Sequence, residues 1–238
     1  GVKPYAFQHY SIARSGLSKM FLRDVEIQSF GSSAELWVGL RQFLEAKIDE
    51  RLYAYVYYGA VDSLSHRHGP DDERVRAEFA TFSAAFERFF LGRLSPEARR
   101  NTLLILIADH GQVTTPDNPR NDFKHHPRLA DSLHIHPTGE NRLAYLYLRP
   151  GRWDAVHDYM RTTWPEGFKL ISQGRALRTG LFGPGEPHPS LRDRLGDVLA
   201  VAQDDAYLWW DKKENYLLGR HGGLTPQEML VPFLAVRL

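Results

Sequence analysis

Three short stretches of this 238-residue chain combine carboxylates and imidazoles at spacings that suit metal chemistry. The first is Asp62-Ser-Leu-Ser-His66-Arg-His68-Gly69. Asp62 and His66 are four apart, so on a helical turn both side chains share a face and can share an ion. A carboxylate oxygen with a neutral imidazole is an ordinary ligand set for zinc. The plainer alternative is an N-cap aspartate followed by a solvated histidine. The second stretch is Asp109-His110-Gly111, directly behind an apolar run. A carboxylate there demands a partner, because burying it alone is costly. Gly111 lets the chain turn sharply without a Cβ clash, and the alternative is an Asp that caps a following helix. The third is Gly219-Arg-His221-Gly222-Gly223, a histidine on backbone that can approach a bound group closely. Taken alone, that stretch reads equally as a turn with an exposed His.

Together the stretches supply Asp62, His66, Asp109, His110 and His221. That is close to a complete ligand set for two metals, and two ions about 3.5–4 Å apart are a standard device for phosphoryl transfer.

The elements that must position these residues are legible from periodicity. YAYVYYGAVD (53–62) and TLLILIA (102–108) read as strands, the second as a central strand covered on both faces. RLAYLYL (142–148), GDVLAVAQ (196–203) and LVPFLAV near the C-terminus add strands, with Pro232 placing the last at an edge or a strand start. YLWW with NYLL predicts a β-hairpin. Helical spacing marks residues 35–50, with Ser33 as a candidate N-cap, and residues 71–93 and 154–164. Residues 1–33 carry only weak periodicity. Residues 112–141 hold four Pro and four His and read as a long loop. Its His125, His126, His134 and His136 either shape access to a site or are solvated. Strands alternating with helices predict a layered α/β/α fold with a mostly parallel sheet, where ligands bind beyond the carboxyl ends of strands. Asp62 and Asp109 both follow strand runs.

Composition narrows the classes. With 30 basic and 29 acidic residues the formal charge is +1, so no global field steers the chain to nucleic acid or membrane. There are no cysteines, which excludes disulfides, thiol catalysis and Cys-ligated metals. No apolar run reaches membrane-spanning length. Residue 1 is Gly and the first Met is Met20, so the chain reads as beginning partway through a larger polypeptide.

The order V-D-S-L-S-H-R-H-G-P, L-I-A-D-H-G-Q and G-R-H-G-G-L-T-P-Q-E-M-L-V-P resembles the alkaline phosphatase superfamily, in its nucleotide pyrophosphatase/phosphodiesterase branch. The resemblance runs from about residue 50 onward. It implies one alkaline phosphatase-like α/β domain over residues 1–238. It also implies two zinc ions, with manganese as an alternative. Asp62, His66 and His221 would hold one ion, and Asp109 and His110 the other. The implied reaction is attack on phosphorus by a Thr or Ser, followed by hydrolysis of the covalent enzyme. In the family, that nucleophile and one further metal-binding Asp come from an upstream segment with no equivalent here. Ser11, Ser15 and Ser18 read as turn and cap residues instead.

The implied function is a two-metal phosphoryl-transfer hydrolase acting on a phosphoester or nucleotide, with this chain supplying most metal ligands. Neither a nucleic-acid polymer nor a membrane is expected as a partner, and the expected setting is cytoplasmic. A segment of the same polypeptide or a partner chain is expected to complete the sheet and the site. The rivals are a non-catalytic metal-binding or structural module, and a phosphomonoesterase or phosphomutase of the same superfamily.

Overall fold

A computed structural model describes residues 1–238. The chain runs through β1 (Lys3–His9), α1 (Gly16–Phe21), β2 (Glu26–Phe30), α2 (Ser33–Ala46), β3 (Leu52–Val56) and α3 (Ala60–His68). There follow α4 (Glu73–Ala85), continued by a π-helical turn at Phe86–Leu91, then α5 (Pro96–Arg100), β4 (Leu103–Ile107) and β5 (Val113–Thr114). Next come α6 (Pro127–Ala130), β6 (Thr138–Glu140), β7 (Leu143–Leu146), α7 (Trp153–Thr163), β8 (Phe168–Ser172) and α8 (Gln173–Arg178). The last elements are α9 (Leu191–Arg194), β9 (Val198–Ala202), β10 (Gly219–Arg220), α10 (Pro226–Met229) and β11 (Phe233–Arg237). The fold is mixed α/β. No helix is long and apolar enough to cross a membrane.

The chain divides into two compact units, whose boundary runs through α3. The first comprises Gly1–Leu64, Asp71–Ile107 and Pro232–Leu238. It holds a parallel three-stranded sheet in the order β2-β1-β3 and a separate antiparallel pair, β4 with β11. Its core joins Phe7 and Phe30 to Leu36, Trp37 and Leu40 of α2, and to Phe90 of the π-helical turn. The expected N-cap shifts by one residue. Ser32, not Ser33, caps α2 by accepting the Glu35 N–H at 3.2 Å, and the Glu35 carboxylate accepts the Gly31 N–H at 2.8 Å. The Ser-x-x-Glu spacing is the signal that decides it. Residues 1–33 contain two strands and a helix that weak periodicity hid. As the central strand, β1 has Tyr5, Ala6, Phe7 and Gln8 all buried, so no alternation marks it. Ser15 caps α1 and Ser18 donates to the Ile12 carbonyl, as cap and turn residues should.

The second unit comprises Ser65–Pro70 and Ala108–Val231. Its main sheet is antiparallel in the order β6-β7-β9-β8, and a short antiparallel pair joins β5 to β10. Every residue of β9 is buried. Val198 and Ala200 enter one core cluster, with Leu146, Val156 and Met160. Leu199 and Val201 enter another, with Ala176 and Leu195. The expected hairpin at 207–218 does not form. Trp209 instead exchanges backbone bonds with residues 121–123: its N–H reaches the Asn121 carbonyl and its carbonyl accepts from Phe123, both at 2.7 Å. The 112–141 stretch is organised by short helical turns rather than left as open loop.

Candidate metal centre

The two-stranded ladder of β5 and β10 gathers the motifs. The Asp109-His110-Gly111 turn lies just before β5, and His221 directly follows β10. The end of α3 is tied to the same ladder: the Leu218 N–H donates to the His66 carbonyl, and His66 Nδ1 donates to the Gly219 carbonyl, both at 2.8 Å. Two close approaches need glycine. A Cβ on Gly219 would sit 2.2 Å from the Ser65 carbonyl oxygen, and one on Gly111 would sit 2.0 Å from that of Gln227.

These contacts bring the rings together. His110 and His221 stack with centroids 3.6 Å apart and planes 15° from parallel, and the His66 ring lies 5.1 Å from His221. Asp62 is carried on α3 one turn before His66. A ligand atom of His110 lies within 4.8 Å of one of His221. Asp109 stands at the rim, 68% exposed, its Oδ1 3.7 Å from His110 Nε2. The stacked pair therefore draws His221 from one implied ligand set and His110 from the other.

The donor chemistry fits a divalent ion. A carbonyl can only accept, so the Nδ1 atoms of His66 and His110, at 2.8 and 3.0 Å from the carbonyls of Gly219 and Gly111, carry protons. When such a ring is neutral, Nε2 holds the lone pair that a metal takes, and a carbonyl on the far nitrogen is the usual support for a metal-binding imidazole.

Two features were not legible as site components. Glu140 closes β6, and a Cβ on Gly222 would lie 2.6 Å from its Cβ. Its surface is largely accessible, yet burial of the carboxyl pushes its pKa up, while the charges of His110 and His66 oppose the shift. In sequence it is one Glu in a turn. The other feature is the buried pair of Arg142 and Glu228, whose partners lie 86 residues apart. Of the loop histidines, His126 is structural: buried, with Nδ1 at Tyr159 Oη (2.8 Å) and Nε2 at the Arg120 carbonyl (2.6 Å).

Comparison with known proteins decides the family. The profile of type I phosphodiesterases / nucleotide pyrophosphatases matches residues 15–224. The chain belongs to that family. Among solved structures, murine ectonucleotide pyrophosphatase / phosphodiesterase 5 shares 18% identity at a TM-score of 0.67, covering 99% of this chain and 60% of that one. The human counterpart gives 16% and 0.66, with the same coverage. Phosphonoacetate hydrolase from Sinorhizobium meliloti, in complex with phosphonoformate, gives 15% and 0.61, covering 99% of this chain and 65% of that one. At these identities the likeness is one of fold. This member of the phosphodiesterase family spans about 60% of the length of the first of these.

Proposed function

We propose that this chain is the metal-binding part of a two-metal phosphoryl-transfer hydrolase that cleaves a phosphodiester or nucleotide. The observation that carries it is the stacking of His110 on His221 beside the His66 ring, with the His66 and His110 imidazoles oriented by backbone carbonyls, in a member of a phosphodiesterase family. Murine relatives include an inactive variant in complex with AMP, which favours a nucleotide or similar small phosphoester here too. Asp62, His110 and His221 would hold one ion. His66 and Asp109 stand next to them as donors toward a second, with zinc the first choice and manganese the alternative. Divalent ions bound there would offset negative charge on the phosphoryl oxygens. The chain's own part is to present Nε2 of His66 and His110 in the metal-binding tautomer and to keep carboxylates at both ends of the group.

The nucleophile is proposed to come from a further segment, in a longer polypeptide or on a partner chain. Ser15 and Ser18 are occupied in capping and turn bonds, and Ser11 pairs with His9 Nδ1 at 2.7 Å. The same segment would complete one layered, mostly parallel α/β domain from the whole chain. In support, β3 and β4 each pair on one side only, and Leu103, Ile105 and Ile107 of β4 stand exposed. The non-catalytic module is the second reading, favoured by the engagement of these serines.

Metal stoichiometry after zinc loading, by elemental mass spectrometry, tests the reading. About one ion per chain, lost in His110→Ala and His221→Ala, is expected. Two ions per chain and cleavage of bis- over mono-nitrophenyl phosphate are expected once the completing segment is present. No bound metal would remove the hydrolase reading and leave the module.

A further inference from the structure

Arg142, at the head of β7, and Glu228, in α10, form an ion pair whose side chains are 0% and 1% exposed. The pair is bidentate: Nε donates to Oε1 at 2.6 Å and Nη2 to Oε2 at 3.0 Å, while Nη1 donates to the Ala206 carbonyl at 2.6 Å. Burial alone would push the Glu228 carboxyl up. The hydrogen bonds from Arg142 and Thr225 outweigh it and hold the pKa below its ordinary value. Such a pair is a poor device for stability, since two desolvated charges often do no better than apolar side chains of equal volume. What it connects is more informative.

The Glu228 carboxylate also accepts the Gly223 N–H at 2.8 Å and the Thr225 hydroxyl at 2.7 Å. Gly223 lies two residues after His221. The Glu228 carbonyl accepts the Gly111 N–H at 2.8 Å, and Gly111 directly follows His110. One residue therefore grips both turns whose imidazoles stack at 3.6 Å. Arg142 fixes the carboxylate that grips, and it stands two residues after Glu140, which packs on Gly222.

We propose that Glu228, braced by Arg142, is the positioning residue of the metal centre: it holds the His110 and His221 turns in register so that their imidazoles meet one ion. The proposal rests on the metal-centre reading above, and its test separates the two.

The experiment uses the whole chain and two variants. Glu228→Gln keeps the shape but sets an amide N–H₂ against the buried guanidinium. The double variant Arg142→Leu/Glu228→Met replaces the pair by apolar groups and should keep the thermal midpoint near wild type. Zinc affinity is measured by titration, the geometry of the ligand field by cobalt absorption, and the Gly111 and Gly223 amides by hydrogen exchange without metal. The expected result is a ten- to hundredfold loss of zinc affinity in both variants, the range typical for groups that orient metal ligands. An altered cobalt spectrum and faster exchange at Gly223 should accompany it, even where the double variant melts like wild type. Unchanged affinity and spectrum in a folded double variant would overturn the proposal. Should the wild type bind no zinc, the metal-centre reading fails. Exchange then decides the clamp alone: faster exchange at Gly223 in the double variant upholds it, and unchanged exchange there ends it.

Discussion

Two five-residue apolar strands, β9 (VLAVA) in the second unit and β4 (LLILI) in the first, look alike in sequence and live differently. Strand β9 has β7 on one side and β8 on the other, and its alternate side chains fill two core clusters. Strand β4 pairs only with β11, and Leu103, Ile105 and Ile107 stand 54–65% exposed. A continuous apolar run states that a strand can be covered on both faces. It does not state that the cover lies within the same stretch of chain. The second unit meets its own demand. In the first, the parallel sheet and the β4–β11 pair each leave apolar surface that a further segment can use.

Truncation separates the two strands most sharply. Leu199 is fully buried, so Leu199→Ala should cost about 2–5 kcal/mol in chemical denaturation. Ile105→Ala, at a half-exposed site, should cost under about 1 kcal/mol. Comparable losses at both sites would break the distinction. The next effect belongs to the second unit alone. The folded Glu228 carboxyl has a pKa below its ordinary value near 4.5, so the unfolded chain takes up its proton first as pH falls. Its contribution to stability should be complete above about pH 4.5 and fade as pH drops through the folded value. Arg142→Leu/Glu228→Met should flatten that acid slope, as read from thermal midpoints across pH. A smaller effect probes the first unit: Ser32→Ala removes the cap of α2 and should cost about 1 kcal/mol. Ser33→Ala should leave the helix cap intact, since Ser33 begins the helix and its side chain bonds Tyr58.

The candidate site residues were easier to single out in the sequence than the scaffold around them. Asp62, His66, Asp109, His110 and His221 announce themselves because carboxylates and imidazoles behind apolar runs have few structural uses. All five fall around the β5–β10 ladder and the helix end tied to it. What joins them was hidden. Arg142 and Glu228 read as ordinary charges because their partnership spans 86 residues, and no local pattern encodes that distance. Strand β1 was missed because a central strand buried on both faces loses the alternation by which strands are found. The hairpin expected at 207–218 failed for the reverse reason. Aromatic residues in sequence there pack as strands do, but the backbone bonds of Trp209 go to residues 121–123.

The smallest stability effect carries the most direct test of the comparison. Ile105→Lys places a charge on the uncovered face of β4, so the isolated chain should keep its stability within roughly 0.5 kcal/mol. Its self-association should fall, because exposed apolar strands favour contact between copies and a lysine there opposes it. Sedimentation velocity over a concentration series reads that change, with wild type as the associating reference. In a longer polypeptide that supplies the completing segment, the same lysine would lie under the added cover and destabilise the fold as a buried, unpaired charge does. If Ile105→Lys destabilises the isolated chain as strongly as Leu199→Ala, β4 already has its cover, and the first unit needs no further segment.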